Sequence, residues 1–534
     1  MLRINNFNVP FDDDSPLLDL VAKRLNMPPQ VILEVVVVRK AIDARRRKNS
    51  PIYFVYLLHV KVNADERKVL ARLRNDKNIT IVEKTEKSEL HYGDVGLKER
   101  PIVVGLGPAG LLAALTLAEH GYKPLILERG KDVDRRSEDI QEFWQQGRLN
   151  PSSNVQFGEG GAGTFSDGKL TTRVNDSKMR EVLHLFVEAG APAEIKYLHK
   201  PHIGTDKLKV MVKNLRQKII ALGGEVLFES QVTDLVIKED AVCGVVVNHE
   251  RHIPCSVVML GIGHSARDTY AMLHEKHIAM EAKAFAVGVR IEHPQTLIDV
   301  AQYAQDAGHQ NLPVADYALT YQDKRTNRGA YSFCMCPGGQ VVAAASEPGQ
   351  VVTNGMSNFQ RDSGVANSAL LVTVTPEDFG IDVLAGIAFQ RKYERLAFAC
   401  AGNNYFAPVQ TVGDFLQGKS GSRDFLVTPT YQPGITPVDL RECLPKFITD
   451  TLVDALPDFG RKIKGFDDPA AVMTGIESRS SAPCRIIRNR EYVSISTTGL
   501  YPIGEGAGYA GGIMSAALDG LNSALAVIGK YQAF

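Results

Sequence analysis

Three glycines, Gly105, Gly107 and Gly110, follow directly on the apolar β-branched run Ile102–Val104 and open a stretch with Leu111, Ala114, Leu115 and Ala118 at helical spacing. That order of residue types can hold a diphosphate. Glycine at the end of a buried parallel strand allows a tight turn, Gly107 leaves the backbone open to phosphate oxygens, and Gly110 lets the following helix lie close to the sheet. The helix start, with Pro108 and Ala109, then aims free N–H groups and a partial positive charge at the anion. Gly121 is placed to end the helix, and Leu125–Leu127 reads as a second strand. Glu128 follows, about twenty residues beyond Gly110, where a carboxylate accepts hydrogen bonds from a ribose diol. Together these features predict a dinucleotide-binding βαβ unit, for NAD or FAD, with Arg129 beside the acid as a further contact.

Later blocks favour FAD. The loop Asn154–Lys169 carries five glycines, Gly158, Gly160, Gly161, Gly163 and Gly168, among aromatic and polar residues. Its open backbone and its hydroxyls can reach phosphate oxygens or a flavin edge, so Gly160, Gly161, Ala162, Gly163, Thr164 and Lys169 are candidate contacts. Val232 lies on a strand expected to cross the adenine end. Val257–Leu260 runs into Gly261-Ile262-Gly263-His264-Ser265-Ala266, a second glycine turn. The position where a nicotinamide-nucleotide unit needs an acid or arginine falls at Lys283-Ala284-Phe285, which offers no acid. That turn is therefore read as returning the chain beside the first, giving one dinucleotide site with Gly261 and Gly263 on it. Near the C-terminus, Gly504 and Glu505 precede Gly512-Ile513 and a small-residue helix. Glu505 is placed to accept from ribityl hydroxyls, and the helix start at Gly512 and Ile513 favours the negative charge of a reduced flavin.

Positioning these blocks takes several layers of structure. With 534 residues the chain exceeds what one core serves. Residues 1–97 read as a β-α-β-β-α-β, ferredoxin-like α+β domain: a strand from Leu2, a helix opened by Ser15-Pro16, strands Val31–Val38 and Ile52–Val62, a helix entered through a capping box of Asn63 and Glu66, and a strand Ile79–Val82. The expected fold class is α/β, with a glutathione-reductase-like Rossmann domain over residues 98–280 and 473–534. A mostly antiparallel substrate domain is inserted at 281–472. Arg39, Lys40 and Arg45–Lys48 form a basic patch that reads best as a solvated loop, and Glu83–Arg100 reads as a linker.

Lysine plus arginine balances aspartate plus glutamate at 61 each, so no global charge draws the chain to nucleic acid or membrane. Lacking a bilayer-length apolar run or a basic-apolar leader, it is expected to be soluble and cytoplasmic. Its seven cysteines are scattered, which points to free thiols rather than a disulfide framework, and no cysteine–histidine spacing suggests a metal.

The three separated blocks, Gly105–Glu128, Gly261–Asp268 and Gly504–Ile513, resemble the FAD domain of the glutathione-reductase-like flavoproteins. More narrowly, the loop Gly158–Lys169, the string Gly263–Asp268, the turn Gly511–Ile513 and the N-terminal Asp43-Ala44-Arg45 resemble an uncharacterised bacterial family of FAD-dependent, or NAD(FAD)-utilising, dehydrogenases. The resemblance implies FAD and leaves the substrate open. Disulfide reductases of the superfamily carry a cysteine pair soon after the first βαβ unit, whereas residues 130–175 here hold no cysteine. Cys334 and Cys336 are alternative thiols for a flavin. The expected function is hydride transfer between flavin N5 and a small molecule, with external NAD(P)H as a possible reductant. His264, Arg290, Arg479 and Arg485 are candidate substrate anchors, without an assigned catalytic residue. A flavin-dependent RNA-modifying enzyme and a flavin-binding redox sensor are the alternatives.

Overall fold

The computed structural model describes residues 1–45, 51–73, 76–82 and 90–533. Arg46–Lys48 of the basic patch and residues 83–89 of the expected linker lie outside them. The chain forms two compact units, one of residues 1–90, 192–201 and 302–313, the other of the remainder.

In the smaller unit, strands Ile32–Asp43, Tyr53–Val62, Leu2–Pro10 and Ile79–Ile81 lie side by side in that order, every neighbouring pair antiparallel. Helices Leu17–Leu25 and Glu66–Arg72 complete it. Alternate residues Leu2, Ile4, Leu58 and Val60 of the two central strands are fully buried and meet Val21 and Leu25 of the first helix. Burying each such side chain contributes about 1.5–3 kcal/mol. The register of the first strand shifts between Ile4 and Phe7, where Asn6 adopts a positive φ of 49°, so the strand continues past the point where the apolar alternation fails. The second helix begins two residues later than the sequence suggests. Asp65, not Asn63, is its cap, accepting from the N–H groups of Arg67 and Lys68, and no capping box forms with Glu66.

The larger unit is a mixed α/β structure built on two sheets. In the first, strands Leu500–Pro502, Val258–Leu260, Ile102–Val104, Leu125–Leu127 and Glu225–Leu227 are all parallel, and all but the edge strand Glu225–Leu227 are buried throughout. Helix Pro108–Glu119 has no polar face; Leu111 to Ala118 are all within 6% of complete burial, because helices Ile513–Lys530 and Thr205–Ala221 pack against it. The second sheet has seven strands, in the order Thr320–Asp323, Arg328–Cys336, Val365–Val374, Phe285–Pro294, Val472–Glu477, Ala407–Thr411, Ile435–Pro437. All neighbours are antiparallel except the last pair. Strand Val472–Glu477 pairs with Phe285–Pro294, so the inserted sheet extends past the boundary drawn at residue 472 from the sequence. Gln340–Ala343 leaves the large sheet and pairs with Thr353–Met356 in a separate ribbon. Among the described residues no helix is long and apolar enough to cross a membrane.

A knot of buried charge ties the second sheet and its helices to the first. Glu394, on helix Ala385–Cys400, has no exposed surface and accepts from Arg267 at 2.7 and 2.8 Å, from Arg479 at 3.1 and 3.2 Å, and from the Ser478 hydroxyl at 2.6 Å. Glu347 joins Arg267 at 3.1 Å and Arg391 at 2.7 Å. Burial alone would raise both carboxyl pKa values, but the neighbouring guanidinium groups outweigh it and hold them down, Glu347 at about 2. Glu394→Gln leaves two buried guanidinium groups facing a neutral amide and should cost about 3–5 kcal/mol of unfolding free energy, read from the denaturant midpoint. Because both carboxyls are depressed, the knot's contribution is complete above pH 4.5 and is lost as pH falls towards 2. A wild-type protein as acid-sensitive as Glu394→Gln would contradict this.

Candidate functional site

Strand Ile102–Val104 ends in a turn whose geometry follows from Gly110. A Cβ there would lie 1.9 Å from the Gly105 carbonyl oxygen, so only glycine lets helix Pro108–Glu119 start this close to the strand it leaves. Glu128, 5% exposed, ties three backbone segments together: its carboxylate accepts from Leu106 N at 2.7 Å, Gly130 N at 2.9 Å and Gly158 N at 3.1 Å. A carboxylate offers about four acceptor sites, so one remains for a ligand hydroxyl. Arg129 stacks on Phe157 at 4.4 Å and pairs with Asp268 at 2.8 Å.

The glycine loop is shaped from beneath by Arg136. Asp132 caps helix Val133–Gln146, and Val133, Arg136, Ile140 and Phe143 form its buried face. The guanidinium of Arg136 is wholly buried and donates to five backbone carbonyls: Asn154 at 2.8 Å, Val155 at 2.9 Å, Glu159 at 2.6 Å, Gly161 at 3.0 Å and Gly158 at 3.3 Å. Burial lowers its pKa to about 10, which still leaves it charged at neutral pH. The loop is also joined to the first turn, Gly160 N donating to Leu106 O at 2.8 Å. Arg136 was not singled out in the sequence, where it stands among charged residues of an apparently solvated segment; the i, i+4, i+7 spacing of Arg136, Ile140 and Phe143 is the signal that places it inside.

One cavity gathers the distant blocks. It is lined by Gly105, Gly107, Pro108, Ala109, Glu128 and Arg129 from the first motif, and by Gly161, Ala162, Gly163 and Lys169 from the loop. Val232, Gly261 and Gly263 follow, with Glu505, Gly512 and Ile513 from the C-terminal block. Four candidates do not reach it. Gly110 serves helix packing, and Gly160 lies against Val212 and the Thr164 hydroxyl. Thr164, 1% exposed, is turned into the interior with its hydroxyl unbonded, and Gly504 donates its N–H to Asp519 at 2.6 Å. Lys169 reaches the cavity but is engaged, donating to the Met335 carbonyl and lying 3.8 Å from Asp167.

The anchor candidates divide likewise. His264 and Arg479 line the cavity, whereas Arg290 and Arg485 do not. Arg290 has no exposed surface, and Glu477 at 2.8 and 2.9 Å, Asn367 at 3.0 Å and the Cys334 carbonyl at 3.0 Å take up its donors. Arg485 pairs with Glu281 at 2.8 Å and lies over Tyr509. His264 shares a hydrogen bond with the Ser265 hydroxyl at 2.9 Å. Burial, then the charges of Arg479 and Arg267, lower its pKa to about 3, so its ring is neutral at physiological pH. The inserted sheet and its ribbon supply the facing wall, with Phe333, Cys334, Cys336, Asn354, Gly355 and Glu477. Asn354-Gly355 was missed because the pair reads as a turn, although it lies on the ribbon strand Thr353–Met356.

These donors fit a flavin dinucleotide. Gly512 caps the long helix Ile513–Lys530, and a Cβ on it would meet no protein atom within 4 Å; packing within the protein does not call for glycine there, while the cavity it lines does. Gly107 has an ordinary φ of −77°, and its added Cβ would come no nearer than 3.7 Å to a protein atom. Exposed backbone, helix starts and a buried acid with a spare acceptor are what a diphosphate and a ribose require.

Comparison with known proteins agrees with this. Residues 284–480 match the family described as FAD-dependent protein, C-terminal domain-like, and residues 1–61 match a domain of unknown function. An uncharacterised protein of Clostridium beijerinckii is 51% identical over 533 residues, 99% of each chain. Digeranylgeranylglycerophospholipid reductase 2 of Methanococcoides burtonii is 25% identical over 151 residues, 28% of this chain and 33% of that one. Among solved structures, L-proline dehydrogenase from P. horikoshii covers 81% of this chain and 94% of its own at 13% identity, with a TM-score of 0.37. The chain belongs, with its Clostridium relative, to an uncharacterised family of FAD-dependent proteins, and FAD is its cofactor.

Proposed function

We propose that this protein is a dehydrogenase that passes hydride between flavin N5 and a small molecule seated against the inserted sheet. The reading combines a glutathione-reductase-like nucleotide domain, an inserted substrate domain and an N-terminal ferredoxin-like domain. The observation that carries it is the shared cavity, in which glycine-rich backbone from three distant segments faces side chains of the seven-stranded sheet and its ribbon. Gly105, Gly107, Glu128, Arg129 and Val232 would hold the nucleotide half, and Gly161–Gly163, Gly261, Gly263, Glu505, Gly512 and Ile513 the remainder. Bound FAD supplies a two-electron donor and acceptor.

The chain's own residues orient the substrate. Arg479 sits on the cavity wall, fixed by Glu394, in a knot where the guanidinium groups of Arg267, Arg391 and Arg479 outnumber the carboxylates of Glu347 and Glu394. That surplus favours an anionic group on the substrate. Neutral His264 beside it can accept or donate a hydrogen bond without adding charge. Glu505 faces the same space; burial raises its pKa to about 7, with Lys283 opposing, so its carboxyl can hold or release a proton near neutrality.

Gly107→Val should abolish flavin retention, seen as loss of visible absorbance in purified protein, while the thermal midpoint of the flavin-free form stays within about 2 °C of wild type. Flavin retained in that variant would sink the assignment. For Glu505, the folded state holds the extra proton between pH 4.5 and about 7, so stability of the flavin-free protein should fall as pH rises across that window and level off above it. The slope is at most about 1.4 kcal/mol per pH unit and should be missing in Glu505→Gln. Stopped-flow mixing of holoprotein with NADH, NADPH and a panel of organic anions tests the dehydrogenase reading itself. Bleaching by at least one is expected, and inertness to all would refute it.

A further inference from the structure

His264 enters the cavity with its ring fixed from behind. Gln156 Nε2 donates to the carbonyl of Ala344, just past the ribbon strand Gln340–Ala343, at 3.1 Å, which turns the Gln156 Oε1 towards Ser265. The Ser265 hydroxyl, 4% exposed, donates to that oxygen at 3.2 Å. A hydroxyl has a single hydrogen to give. Because Ser265 gives it to Gln156, the 2.9 Å contact with His264 Nδ1 is one in which Nδ1–H donates and Ser265 accepts. The opposite assignment leaves two buried oxygens facing each other with no hydrogen between them, a loss of about 1–3 kcal/mol. A neutral imidazole carries one N–H, so Nε2 is left as a pure acceptor. None of the described residues bonds Nε2, and the half-buried His264 lines the cavity.

Arg479 presents the complementary half. Its Nε and Nη2 hydrogens go to Glu394 and, at 3.3 Å, to Gln350, and one of the hydrogens on Nη1 goes to the Ser346 hydroxyl. The other Nη1 hydrogen has no partner among the described residues, and the side chain, 8% exposed, lines the same cavity. The two groups are neighbours: after burial, the charge of Arg479 is the largest influence keeping the His264 ring neutral. An acceptor-only nitrogen beside a spare guanidinium donor calls for a ligand with an anionic oxygen and, close to it, an O–H or N–H. The surplus of guanidinium over carboxylate decides between the two. A hydroxyl adds no charge, whereas an ammonium would be a further cation beside Arg267 and Arg479.

We propose that the cavity takes a hydroxycarboxylic acid, its carboxylate on Arg479 and its hydroxyl donating to Nε2 of His264, and that the Gln156–Ser265 chain makes His264 the residue that tells this acid from its deoxy analogue. The inference deepens the dehydrogenase reading above and rests on it. The carbon bearing the hydroxyl is the one oxidised: its C–H bond and the O–H bond break, a C=O bond forms, hydride passes to the flavin and the proton to solvent. An oxo acid is left.

Binding is tested apart from turnover, with acids that lack the hydrogen needed for hydride transfer. The thermal midpoint of the holoprotein is titrated with 2-hydroxyisobutyrate, atrolactate, citramalate and 3-hydroxyisovalerate, each against its deoxy partner, and with 2-aminoisobutyrate. At least one hydroxy acid should bind about tenfold or more tightly than its partner, and the amino acid no more tightly than isobutyrate. His264→Phe should erase the difference at unchanged flavin content, and His264→Gln, whose amide oxygen can accept, should keep part of it. Ser265→Ala, which frees the ring to carry its hydrogen on Nε2, should narrow it as well. Equal binding of every pair in the wild type, a preference that survives in both His264→Phe and Ser265→Ala, or loss of flavin from His264→Phe would overturn the proposal. Flavin bleaching only by anions without a hydroxyl would uphold the dehydrogenase reading and overturn this one. A wild-type protein that holds no flavin yet prefers the hydroxy acids would do the reverse.

Discussion

A single guanidinium with no access to water organises the glycine loop. Bringing Arg136 into the interior carries a desolvation penalty of several kcal/mol, and its bonds to the loop carbonyls, each about 1.5–3 kcal/mol for a charged donor, offset it only when all are made together. The loop's shape and the arginine's burial are therefore one structure, neither of which is stable without the other. Glu159, buried beside it and bonded to Val133 N at 2.8 Å and to Arg216 at 2.7 Å, anchors the same segment to two helices. The nucleotide side of the cavity is set by this arrangement rather than by the flexibility that so many glycines would suggest.

The opposite wall depends on the same device at larger scale. Glu394 gathers Arg267, which begins the helix after the second glycine turn, and Arg479, which follows the strand Val472–Glu477 of the inserted sheet. A few buried ion pairs therefore fix the distance between backbone that suits a cofactor and side chains that suit a substrate. Arg290 and Glu477 repeat the pattern beneath Cys334. Charges that look like ligands are mostly spent on holding the cavity walls.

That difference explains what could be read from the sequence. The βαβ unit was legible because strand period, glycine position and the acid at the second strand's end are local signals that agree. The convergence of the 261 and 504 blocks on it was legible for the same reason, both being glycine turns after short apolar runs. Arg290 and Arg136 were not, since a charged residue in sequence reads as solvated, and only its partners, dozens of residues away, show that it is buried. Thr164 misled because a hydroxyl in a glycine loop reads as a donor, while its side chain follows the buried face of the loop. Strand Val472–Glu477 was divided from its sheet because its pairing with Phe285–Pro294 spans nearly two hundred residues of chain.

The order in which the parallel strands arrive has a bearing on biosynthesis. Four strands of that sheet come from the first half of the chain, but the edge strand Leu500–Pro502 and the helix that packs on Pro108–Glu119 come last. Until that late segment emerges, a nascent polypeptide has a nucleotide fold with one flank bare, its apolar helix Pro108–Glu119 covered only by Thr205–Ala221. Such a chain exposes apolar surface during the interval, and the cavity lacks the wall made by Glu505, Gly512 and Ile513 until that late segment folds in.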